Sequence, residues 1–81
     1  MDTRVAVISI IVSKAEAVEE LNKLLHSYSE YIIGRMGIPY REKQVNIICV
    51  AVDAPQNAIS ALSGRLGRLK GVTSKVAYSN T

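Results

Sequence analysis

Eighty-one residues, 48% hydrophobic and 21% charged, fit one domain with a packed core and exclude a disordered chain. Ten Lys and Arg against seven Asp and Glu leave a net charge of +3, too small by itself to mark a nucleic-acid binder. The lone cysteine, Cys49, excludes an intrachain disulfide, a CxxC metal-transfer loop and a cluster held by four thiolates. It suits a reducing compartment.

The first strand spans Arg4 to Val12 and is apolar on both alternating sets of side chains. Val5, Val7, Ser9 and Ile11 point one way, and Ala6, Ile8, Ile10 and Val12 the other. This apolar stretch is too short to span a bilayer and lacks a cleavage region, so the chain reads as cytoplasmic, with no membrane contact expected. Ser13 with Glu16 three residues on has the spacing of a capping box, the start signal for a first helix. Val18, Leu21, Leu24, Leu25 and Tyr28 supply its apolar face, and Glu19 and Lys23 form an i,i+4 pair.

A second strand is predicted from Tyr31 to about Gly37. A connection through Ile38, Pro39, Tyr40, Arg41, Glu42 and Lys43 leads into a third strand, Gln44 to Asp53, antiparallel to the second. The third strand is again apolar on both sets: Val45, Ile47, Cys49 and Ala51 oppose Asn46, Ile48, Val50 and Val52. Pro55 suits the first turn of a second helix, with Ile59, Leu62, Leu66 and Leu69 on its buried face and Gly67 or Gly71 at its end. Val72 to Tyr78 alternates as a half-exposed fourth strand.

The order β-α-β-β-α-β with right-handed crossovers predicts an α+β, ferredoxin-like sandwich: a four-stranded antiparallel sheet with both helices on one face. Strands one and three are central in that arrangement, and they are the two strands apolar on both sides. Two helices cover one face only. The other is expected to join a second copy, as a dimer or tetramer, with Ile8, Ile10, Ile48 and Val50 taken as the interface set.

Few residues carry chemistry. RNA-recognition domains of this topology stack bases on aromatic residues of the central strands, and here Tyr28, Tyr31, Tyr40 and Tyr78 all lie elsewhere. His26 and Cys49 are the only soft metal ligands, too few for a site within one chain. No nucleophile and base form a recognisable set, so no catalytic residues are assigned. The hairpin segment Gly34-Arg35-Met36-Gly37, with Pro39, Tyr40 and Arg41, combines glycines with cations, and is the candidate site for a small anionic ligand at a subunit boundary. A docking site for a partner protein is the companion reading. The first alternative is a small enzyme with an active site between subunits, using Arg35, Arg41 and His26; behind it stand a metal-responsive regulator and a nucleic-acid binder using Arg65, Arg68, Lys70 and Lys75.

The run from Tyr31 to Glu42, with Val52-Asp53-Ala54-Pro55 and the segment Ile59 to Leu69, resembles a small bacterial family labelled iron-only hydrogenase system regulator. The likeness extends from about Arg4 to Tyr78. That family is similar to ACT-type regulatory domains and to the carboxy-terminal domain of the nickel-responsive repressor. The resemblance implies an ACT-like, oligomeric, non-enzymatic regulatory module without a carried-over catalytic residue. The chain departs from the repressor in two ways. Its first strand begins by residue 4 or 5, leaving no place for the repressor's DNA-binding ribbon-helix-helix, so direct DNA binding is not expected. Its single His26 leaves the nickel ligand set unfilled, so neither a metal nor another cofactor is expected.

Overall fold

A computed structural model describes residues 2–80. Its elements run β1 (Arg4–Val12), a 3-10 turn (Ala15–Ala17), α1 (Val18–Ser27), a second 3-10 turn (Ser29–Tyr31), β2 (Ile32–Tyr40), a third (Arg41–Lys43), β3 (Val45–Ala54), α2 (Gln56–Arg68) and β4 (Val72–Tyr78). The strands form one antiparallel sheet in the order β2-β3-β1-β4, with β1 and β3 central. This is the ferredoxin-like, ACT-like arrangement expected from the order of elements. Neither helix is long and apolar enough to cross a membrane.

The core lies between the sheet and the two helices. Ala6, Ile8, Ile10 and Val12 of β1 and Ile48, Val50, Val52 and Ala54 of β3 meet Leu21 and Leu25 of α1 and Ile59, Leu62 and Leu66 of α2. Each helix therefore inserts the apolar stripe that its 3.6-residue period creates. This corrects the expected interface: Ile8, Ile10 and Val50 are 0% exposed and Ile48 is 6% exposed, all beneath the helices. Alternation fixes which residues share a face but not which face the crossovers cover.

Local signals differ from expectation in four places. Ser13 does not form a capping box: its backbone N–H (2.7 Å) and its hydroxyl (3.1 Å) both donate to the Gly71 carbonyl, and α1 begins only after the 3-10 turn. β2 runs on to Tyr40, because Gly37 to Tyr40 stay in register with Ile48 to Val45, and the turn tightens into Arg41–Lys43 before Gln44 at φ 55°. Pro55 is the N-cap residue of α2 rather than its first helical residue. Gly67 lies inside α2, while Gly71, at φ 81°, makes the turn into β4.

A polar clamp ties the start of β1 to α2 and the end of β4. Arg4 Nη1 donates to Gln56 Oε1 at 2.7 Å, Gln56 Nε2 donates to the Tyr78 hydroxyl at 2.6 Å, and the Arg4 guanidinium lies 4.2 Å from the centre of the Tyr78 ring. Lys23 and Glu19 form the expected surface ion pair at 3.7 Å, worth a few tenths of a kcal/mol.

Candidate functional site

The sheet register divides the candidate hairpin residues between two sides. Arg35 pairs with Val50, Gly37 with Ile48 and Pro39 with Asn46, so these three share the helix side. Gly34 pairs with Ala51, Met36 with Cys49 and Tyr40 with Val45, so these three share the open side. A bulge between Ile32 and Gly34 absorbs Ile33 and sets that phase. Arg41 belongs to the turn beyond the strand. Five strand steps separate Arg35 from Tyr40, about 17 Å, so Arg35 and Arg41 are not brought together on one ligand. The Tyr40 hydroxyl is engaged by Glu42 at 3.3 Å.

On the open side the residues stand in cross-strand rows. One row reads Gly34, Ala51, Val7, Ala77; the next reads Met36, Cys49, Ser9, Lys75; the third reads Ile38, Ile47, Ile11, Thr73. Met36 is 58% exposed, Ile11 and Ile38 47%, and Val5, Val7 and Tyr40 41–43%. The small residues of the first row leave a shallow hollow between Val7 and Met36, with Cys49 in its lining.

On the helix side, α1 and β2 diverge. Arg35 bridges the gap by donating from Nη2 to Asn22 Oδ1 at 3.1 Å. This link divides the gap in two. One half, about 320 Å³, is bordered by Asn22, Leu25, His26, Ser29, Ile32 and Arg35. The other, about 250 Å³, is bordered by Asn22, Arg35, Asn46 and a mainly apolar wall that includes Val18, Pro39 and Ile48. Asn22 and Asn46 were missed in the sequence. Each had a signal: Asn is a weak helix former inside α1 and is depleted from strands such as β3.

The other candidate groups are dispersed. Cys49 lines the open face while His26 lies in the last turn of α1, across the sheet. Among the described residues, no three His, Cys, Asp or Glu side chains lie close enough to share a metal ion. Arg65 faces the Tyr28 ring at 6.0 Å, and Arg65 and Arg68 belong to α2, whereas Lys75 projects on the open side. Lys70 lies in the turn just after α2, so Lys75 is the one of these four cations set across the sheet from the helix end.

A family profile described as "TM1266-like: Iron-only hydrogenase system regulator, putative" matches residues 4–76. The chain is similar to the solved structure of the uncharacterized protein TM1266 from Thermotoga maritima. The two are 36% identical with a TM-score of 0.91, over 95% of this chain and 98% of that one. A formyltetrahydrofolate deformylase from Pseudomonas putida KT2440 shares the fold at 16% identity and a TM-score of 0.63; 99% of this chain corresponds to 30% of that one. No curated protein sequence matches the chain.

Proposed function

Because the chain belongs to the TM1266-like family, labelled iron-only hydrogenase system regulator, we propose that it is a non-enzymatic regulatory module that works as a homo-oligomer joined through its open sheet face and answers to a small anionic ligand. The open face carries the self-association part of this reading. Four strands by about eight residues give roughly 500 Å² per chain, so two stacked copies bury about 1,000 Å² in total, the lower bound of a specific interface. Covering that area is worth about 10 kcal/mol gross per chain. Two chains together therefore stand above the roughly 4–15 kcal/mol that association costs.

Stacking on a two-fold axis makes the same patch serve both copies. The face is apolar at Val5, Val7, Ile11, Met36 and Ile38, and the Lys75 ammonium lies on its β4 edge, where a long side chain reaches water past a partner. A regulatory response follows if the ligand binds one arrangement of the subunits more tightly than another. Sedimentation equilibrium at micromolar concentration tests the assembly: a mass at a multiple of 8.8 kDa supports it, and 8.8 kDa rejects it.

A further inference from the structure

We infer that the smaller groove between α1 and β2 is a binding site for a monocarboxylate with a short branched aliphatic body, which deepens the ligand-sensing part of the reading above and rests on it. The groove exists because β2 places Gly37 and Pro39 on the helix side opposite Ile48 and Asn46, leaving space that a larger side chain would fill. A Cβ built on Gly37 meets nothing within 4 Å.

Arg35 is free to take an anion. Its polar partner is the neutral Asn22 oxygen, and the one ion pair among the described residues, Lys23 with Glu19, does not involve it. Because Asn22 Oδ1 accepts from Arg35, the Asn22 amide nitrogen is left to donate beside the guanidinium. Asn46, opposite Pro39 and four strand steps from Arg35, lines the apolar end of the groove, and its half-buried side chain has no hydrogen bond among the described residues. The Arg35 guanidinium and the Asn22 amide together match a single negative charge. The wall contributed by Val18, Ile48 and Pro39 matches a hydrocarbon body, and about 250 Å³ suits a small one. A phosphate would bring a second charge, and the groove lining holds no cation besides Arg35.

Isovalerate is the probe, titrated into the full chain and followed by the side-chain amide signals of Asn22 and Asn46 and the Arg35 Nε–H signal in nitrogen–proton spectra. The expected result is a saturable shift centred on these three groups. Arg35→Ala, an exposed substitution, weakens binding at least tenfold. Gly37→Val, which fills the groove in a strand that tolerates branching, does the same. Isovaleramide, the same body without charge, and inorganic phosphate bind at least tenfold more weakly. The absence of a saturable shift, equal binding of the amide or of phosphate, or unchanged binding in Arg35→Ala overturns the site. Sedimentation of the same samples is read separately: an oligomer that does not bind isovalerate rejects the groove and leaves self-association standing, and a monomer that binds it rejects self-association alone.

Discussion

Replacing Ile11 with Asp separates folding from assembly. Ile11 sits in the third row of the open face, between Ile47 and Thr73, and keeps 47% of its surface exposed in the single chain. Full burial of an Ile side chain is worth about 1.5–3 kcal/mol, so covering the exposed half adds about 1 kcal/mol per copy. A two-fold interface counts the residue twice, about 2 kcal/mol, and Ile11→Ala should raise the dissociation constant about 30-fold. Ile11→Asp adds two short carboxylates that cannot reach water past a partner, each costing several kcal/mol, so dissociation should rise at least a thousandfold. The fold itself should lose no more than about 1 kcal/mol, the span of strand propensity, because the helices do not touch this side chain. Sedimentation velocity over a concentration series reads the first effect and urea unfolding of the dilute protein reads the second. An unchanged dissociation constant in Ile11→Asp refutes the argument, as does loss of the folded state.

Ile8, on the helix side of the same strand, behaves oppositely: Ile8→Ala, fully buried under the helices, should cost about 2–5 kcal/mol of folding stability in urea unfolding. Gly71→Ala should destabilise by 1 kcal/mol or more on the same assay, since φ is 81° and the new Cβ would lie 2.6 Å from Lys14 Cγ and 2.8 Å from Lys14 Cβ. Gly64→Ala, inside α2 with nothing within 4 Å of its Cβ, should instead stabilise by about 0.5–1 kcal/mol. Cys49 lies in the middle row of the open face, so its reaction with a thiol reagent should be slower in the native assembly than in Ile11→Asp at matched concentration; equal rates would place the thiol outside the interface.

The element order, the central position of β1 and β3, and the helix stripes were legible because period-2 and period-3.6 patterns are local properties of the chain. The covered face was not legible in β1 alone, where both sets are aliphatic apart from Ser9. β4 held the missing information: Val72, Val76 and Tyr78 alternate with Thr73, Lys75 and Ala77, and the observed register sets Lys75 beside Ser9. Had that register been known, the polar pair would have marked the open side and moved Ile8 and Ile10 to the core. The candidate hairpin is one contiguous segment in sequence, yet the bulge at Ile33 and the pleat distribute its side chains to opposite faces. Asn22 and Asn46 come to border one groove with Arg35 only in the folded chain, since Asn22 stands on the first helix and Asn46 on the third strand. Ser13 shows the converse, a strong local capping pattern overridden when its hydroxyl finds the Gly71 carbonyl 58 residues away.

The most direct measurement is the mass of the unmodified protein in dilute solution by sedimentation equilibrium. The expected value is at least twice the 8.8 kDa chain mass, falling toward one chain in Ile11→Asp. A particle of 8.8 kDa that persists as concentration rises through the micromolar range would contradict it.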